Sequence, residues 1–338
     1  MAKKDAGCCR EQFKTMIGGQ ALIEGIMLRG PELDALVVRT PEGIVTETTP
    51  RKIAKKGSWK TWPLIRGLIG FGGSMVAGVK ALMRSADLAM DVEEAEEEEP
   101  SKLDQWLSER LSNEKAQQVV IYIAVAVSLC FSIGLFFLLP MIVGSFLGNW
   151  IENVFLVHLC EGVVRIALFV GYLFLCSRMK EMRRVFSYHG AEHKTIRCYE
   201  AKLPLTVENV RKQTRLHPRC GTSFLFVVMI LSILVFSVAS SGLLAVFPQL
   251  AALKETSKLV YSLIMMGFKL LLLPLIVAIG YEINRVVGRH DNWLTRILTA
   301  PGMWFQYFTT NEPDDSMIEV GIQALTAVLP REEGADQW

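Results

Sequence analysis

Four stretches of this chain run almost wholly apolar: residues 119–146, 154–176, 223–247 and 259–281. A helix needs roughly 20 residues to cross ~30 Å of hydrocarbon, so each predicts a spanning helix. A fifth stretch, "GLIGFGGSMVAGV" at residues 67–79, is bracketed by Arg66 and Lys80 and as a helix reaches only ~20 Å. It predicts an interfacial, re-entrant or packed segment. Its Gly67, Gly70, Gly73 and Gly78 either let another helix approach closely or simply weaken this one.

Outside these runs the periodicity changes. "DALVVRT" and "GIVTETT" flank "PEG", β-branched residues on either side of a Pro and Gly turn, and predict a β-hairpin. The preceding "GGQALIEGIMLRGPE" is punctuated by glycine and is read as a segment wrapping that hairpin, with Glu24 and Arg29 forming a surface ion pair. "DVEEAEEEEP" is a solvated acidic linker. Leu103, Leu107 and Leu111 beside Trp106 make an amphipathic helix leading into the first span. After the last span, "NWLTRILTAPGMWFQYF" carries Trp293, Trp304 and Tyr307, aromatics favoured at headgroup level, and predicts a surface-lying helix. Ser316 with Glu319 reads as a capping box ahead of Ile318, Ile322, Leu325 and Leu329, and so as a closing amphipathic helix.

Composition agrees with the pattern. With 51% hydrophobic residues, 21% charged and a mean hydropathy of +0.32, the 338-residue chain is too apolar for an ordinary soluble domain. The net charge of +2 hides a segregation. Residues 178–221 are rich in Lys and Arg, "GNWIEN" has none, and "PQLAALKETSK" has only Lys254 and Lys258. Positive loops stay inside, so both termini and residues 178–221 are expected in the cytosol, in a multi-pass protein of the bacterial inner or plasma membrane. Seven scattered cysteines follow no disulfide frame, which suits a reduced compartment. The N-terminus has no secretory signal pattern.

The chemistry gathers in "SYHGAEHKTIRCYE" and "LHPRCGT". On a helix advancing about 100° per residue, His189, Glu192 and His193 share one face. Imidazoles at i and i+4 can grip one metal ion, and the adjacent Glu192 can serve as general base; the order His-x-x-Glu-His is that of the inverted zincins. His217 and Cys220 add a His-x-x-Cys spacing on the same segment, whereas Cys198 points away. The expected metal is zinc, with His189, His193, His217 and Cys220 as ligands. All four together make a closed structural site, and an open catalytic one needs one of them to stand off. The plain alternative is histidines that cap helices or meet lipid phosphates. Glu282 ends the fourth span on the same side, either as an additional carboxylate for the site or as a partner of Arg285.

Within the second span His158, Glu161 and Arg165 form one polar stripe. Charges in hydrocarbon face the bundle interior or a cavity, so the stripe is read as a structural Glu161–Arg165 pair or as a transport or substrate site. No nucleotide loop, Ser/His/Asp order or long repeat is present, and no nucleic-acid partner is expected.

"GGQALIEGIMLRGP", "SYHGAEHKTIRCYE", "HPRCGTSF" and "NEPDDSMIEVGIQAL" resemble the bacterial YqhQ family, a domain of unknown function commonly labelled a predicted metal-dependent enzyme. The resemblance covers nearly the whole chain. It implies an integral membrane protein with a metal site at His189, Glu192, His193, His217 and Cys220, and brings no substrate with it.

The expected architecture is an α-helical polytopic membrane protein with four transmembrane helices and a small α+β cytosolic part. Residues 1–90 hold the hairpin and interfacial helix, 91–102 the acidic linker, and 103–177 the amphipathic helix and first two spans. Residues 178–221 form the metal-binding loop, 222–282 the last two spans, and 283–338 the C-terminal amphipathic helices. The expected function is that of a metal-dependent hydrolase at the cytosolic membrane surface. The alternatives are a structural-zinc factor docking a membrane-protein partner for translocation or quality control, and a transporter. Partners are the lipid bilayer and, for so small a bundle, a second membrane protein or another copy of the chain.

Overall fold

The computed structural model describes residues 13–51, 57–93, 114–151, 153–290, 292–332 and 334–337. The acidic linker from residue 94 onward and the Leu103–Leu111 helix lie outside them. The described chain is mostly helical, with one small antiparallel sheet.

Four strands, β1 (Gly18–Leu22), β2 (Gly25–Arg29), β3 (Leu33–Thr40) and β4 (Gly43–Pro50), pair in sequence order. β3 and β4 are the expected hairpin, in register from Leu33↔Pro50 to Thr40↔Gly43. The preceding segment does not wrap it: it supplies β1 and β2, joined by a two-residue turn in which Glu24 adopts φ 51°. Side chains alternate across the sheet, and both faces are covered. Ile26, Leu28, Ala35 and Val37 meet Tyr188, Ala191, Met317, Val320 and Leu325 from α5 (Lys180–Glu200) and α11 (Asp315–Val328). Leu22, Met27, Leu36 and Val38 meet Ala81, with Ala77 and Leu88, from α1 (Ile65–Glu93).

Two expectations change here. The closing helix is present as α11, with Ile318, Ala324 and Leu325 wholly buried, but the Ser316–Glu319 capping box is not what starts it. Its cap is Asp314, whose carboxylate accepts from Met317 N at 2.9 Å and from the Ser316 hydroxyl, while Glu319 pairs with Arg39. Nor do Glu24 and Arg29 pair with each other. Glu24 accepts from Arg184 and from the Tyr188 hydroxyl of α5, and Arg29 pairs with Asp34.

Among the described residues five helices are long and apolar enough to cross a membrane. Besides α1 they are the helix formed by α2 (Glu114–Ile133) and α3 (Leu139–Leu147), α4 (Val154–Cys176), α7 (Gly221–Val246) and α9 (Lys258–Arg289). α6 (Val207–Arg211) and α8 (Gln249–Thr256) are short connectors, and α10 (Trp293–Thr309) lies against α7. The apolar run in α1 extends well past Val79, yet it does not stand free of the sheet. Gly67 meets Tyr281 and Ala278 of α9, and the second half of the helix packs on the sheet.

A π-helical stretch, Gly134–Leu138, separates α2 from α3, and its cause is legible two residues later. Pro140 has no N–H to give the carbonyl four residues back, that of Phe136. Arg165 of α4 donates to that carbonyl instead, Nε to O 2.9 Å, and rests its guanidinium near the rings of Phe137 and Phe236.

Candidate metal centre

The site forms where α5 faces the N-terminus of α7 and the C-terminus of α10. α5 can come this close because residue 190 is glycine: a Cβ there would lie 2.0 Å from the Asn311 carbonyl oxygen. His189 and His193, one turn apart on α5, meet edge to face with ring centroids 4.3 Å apart. Cys220 is the N-cap of α7 and turns its sulfur back to them. His189 Nε2 lies 3.2 Å from Cys220 Sγ, and each of the three residues offers a ligand atom within 4.8 Å of the other two. Among the described residues this is the one such group of His, Cys, Asp or Glu side chains.

The backbone orients both rings. His189 Nδ1 donates to the Thr309 carbonyl at 2.8 Å, and His193 Nδ1 to the Arg215 carbonyl at 2.6 Å, which presents both Nε2 atoms to the sulfur. Glu192 is held from the sheet: the Gly19 N–H donates to its Oε1 at 3.0 Å. Two buried atoms at the centre then lack a partner, His193 Nε2 and Glu192 Oε2. Two orphaned polar atoms beside a thiolate-forming cysteine fit a cation-binding pocket, because buried polar groups are otherwise satisfied.

Electrostatics point the same way. Burial pushes the Cys220 thiol up, but His189 and His193 outweigh it and hold the group well below the usual thiol range. Burial works against protonated His189, yet the Cys220 sulfur and Glu192 raise its pKa to about 9. Burial raises the Glu192 carboxyl, and the two histidines only partly offset it.

His217 is close but stands off. Its ring centroid is 5.6 Å from that of His193, while its Nε2 faces Glu200 Oε2 at 3.3 Å. Its backbone is clamped by Gln306, which accepts from His217 N and donates to His217 O. Burial lowers its pKa to about 4 despite Glu200. Glu200 also binds Arg219 and the Thr15 N–H. Cys198 points away, into Val210 and Ile318. Glu282 is not in the group: it takes a two-pronged ion pair from Arg66, rather than from Arg285, and ties α9 to the start of α1.

The stripe in α4 is also repartnered. Glu161 pairs with Lys269 of α9, not with Arg165, and His158 Nδ1 lies 3.2 Å from the same carboxylate oxygen. Gly144 of α3 leaves the room: a Cβ there would collide with the Glu161 side chain. These groups line a cavity of about 200 Å³ with Tyr261, Ser262 and Met265. Lys269, a lone lysine in "MMGFKLLLL", was the signal to follow, since an isolated charge inside a span requires a partner.

Gly19, Thr309 and Arg215 contribute to the centre only through backbone atoms, so no side-chain pattern marks them. Over residues 62–331 the chain matches a family described as a protein of unknown function (DUF1385). It is 30% identical over 332 residues to the uncharacterized protein YqhQ of Bacillus subtilis (strain 168), a match covering 95% of this chain and 94% of that one. No solved structure matches. The chain, with its paired histidines, cysteine and sheet-anchored glutamate, belongs to the DUF1385 family that includes YqhQ.

Proposed function

We propose that this protein is a membrane-associated, metal-dependent hydrolase whose centre lies at the cytosolic surface, with His189, His193 and Cys220 holding zinc and Glu192 acting as general base. The observation that carries the reading is the pairing of three convergent ligand atoms with the unpartnered Glu192 Oε2 beside them. Three protein ligands leave a fourth position open, which is the pattern of catalytic zinc; structural zinc takes four. When bound, zinc supplies Lewis acidity and brings the pKa of a water to about 7.

The chain's own residues do the rest. The Thr309 and Arg215 carbonyls fix the tautomers of the two histidines, a role such outer partners have in metal sites. Gly19 holds one oxygen of Glu192 and leaves the other to receive a proton. Burial lifts the affinity of that carboxylate for the proton, bringing it nearer to what a general base at neutral pH requires.

The four-span topology is part of the same proposal. The sheet, α5, the ends of α4 and α9 and the start of α7 gather on one side of the bundle, and α1 is tied to that side by Arg66–Glu282 at its start and by the sheet further along. α1 therefore runs along the cytosolic layer rather than across the membrane. A structural-zinc docking factor would need a fourth protein ligand, and His217 is engaged by Glu200. The 3.2 Å Cys220–His189 contact favours one further reading, a thiolate nucleophile with its imidazole partner; activity in zinc-free protein would select it.

The test is Glu192→Gln, which keeps the shape and the imidazoles but removes the proton acceptor. Zinc content and thermal stability should match wild type, while rescue of a deletion strain falls by ~10²-fold or more, as general-base losses run. Full rescue by a zinc-loaded Glu192→Gln protein would rule out the hydrolase reading.

A further inference from the structure

A second cavity, of about 170 Å³, opens beside the metal centre where α5, α9 and α10 meet. Its wall carries Lys14, Arg197, Arg219 and Arg296 against a single carboxylate, Glu200. Glu200 is already shared among Arg219, His217 and the Thr15 N–H, so it does not also balance Lys14 and Arg197 on the same wall. Arg219 keeps a buried Nε without a partner. Burial lowers the pKa of Arg197; Glu200 opposes the shift, and the charge of Arg219 adds to it. The N-terminal turn of α10, capped by Asn292 and Thr295, adds its dipole, and Thr295 and Thr299 line the cavity.

We propose that this cavity binds the phosphate of an anionic phospholipid headgroup. Clustered guanidinium groups match phosphate oxygens in geometry as well as charge, and basic pockets between membrane helices take such headgroups. The depth is right for a lipid: Val287 and His290, at the end of the apolar α9, lie on the wall, and exposed Trp293, Trp304 and Tyr307 mark the headgroup level on α10. The size is right for a fragment. Pockets enclosing a whole drug-sized molecule span ~300–1,000 Å³, so this one takes the phosphate and its nearest substituents, leaving the acyl chains against the bundle. The site stands on its own residues and does not depend on the hydrolase reading.

The test uses full-length protein in neutral detergent, titrated with dioctanoyl phosphatidic acid, dioctanoyl phosphatidylglycerol, dioctanoyl phosphatidylcholine and inorganic phosphate, with binding read by native mass spectrometry and thermal shift. Both anionic lipids should bind well ahead of phosphatidylcholine and of inorganic phosphate. Lys14→Gln with Arg296→Gln should weaken them roughly 30-fold, as loss of two basic residues at a membrane surface implies. Lys180→Gln with Arg331→Gln, which removes two charges at exposed positions outside the cavity wall, should not. His290→Glu, at an exposed position on the rim, gives a second variant should the first fail to fold, and it too should abolish the preference. Lipid binding unchanged in both cavity variants would overturn the site. Inorganic phosphate binding as tightly as the lipids would overturn the lipid as its source.

Discussion

At the residue scale, one buried histidine separates this centre from a closed zinc site. His217 has the sequence spacing of a ligand, yet it is turned to Glu200 and held neutral by burial, with a pKa of about 4. That depression has a sign. The unfolded chain takes up a proton there below ~6.5 and the folded chain does not until about 4, so stability is full above the unfolded value and declines as pH falls between the two. The loss from this group is roughly 2 kcal/mol by pH 5. With chelator present, to remove metal release from the comparison, wild type should lose more stability than His217→Gln between pH 7 and pH 5. Parallel losses would show that His217 is protonated in the folded protein. Helical spacing puts only His189 and His193 on one face; that Cys220 joins them while His217, expected beside it as a fourth ligand, turns to Glu200 depends on how residues 201–219 fold, which no spacing reveals. What could not be read were the carbonyls of Thr309 and Arg215 and the N–H of Gly19, since a backbone group is the same in every residue and only the fold decides where it points.

At the element scale, the break between α2 and α3 links a proline to an intramembrane arginine. If Arg165 is in α4 to satisfy the Phe136 carbonyl that Pro140 leaves open, then Arg165→Met should cost about 1–3 kcal/mol, the penalty of a buried unsatisfied carbonyl. Pro140→Ala restores an N–H that can close the helical bond, so the double variant should recover part of that loss. Unfolding in detergent measures the cycle, and strictly additive effects would mean that proline and arginine do not communicate. The long helices were legible from hydropathy alone, and the β3–β4 hairpin from its Pro-Glu-Gly turn. β1 and β2 were not, because the Ile23–Glu24 turn places a glutamate where such conformations favour glycine or asparagine. α11 was recognisable as a helix, but its apolar stripe looks the same whether it covers a surface or, as here, closes a core against a sheet.

At the scale of the whole molecule, the sheet, the histidine helix and the C-terminal helix form one layer at one end of an apolar bundle. The topology proposed from the positive-residue bias puts that layer in the cytosol. The natural Cys198 and Cys220 are buried and are poor reporters, so exposed positions are needed. In intact cells, a membrane-impermeant thiol reagent should label Trp150→Cys, in the loop after α3, and leave Glu42→Cys and Lys202→Cys untouched until the membrane is opened. Labelling of Glu42→Cys from outside would invert the topology and place the centre on the other face.

The proposed centre is a zinc held by two imidazoles and one thiolate with a position left over. Zinc K-edge X-ray absorption on the purified, zinc-loaded protein reads this most directly. The expected result is one zinc per chain with one sulfur at about 2.3 Å, two imidazole nitrogens at about 2.0–2.1 Å and one further light ligand from solvent, and loss of the sulfur shell in Cys220→Ser. A spectrum with three imidazoles and one sulfur would instead make the site closed and structural, and a protein that takes up no stoichiometric zinc would contradict the account outright.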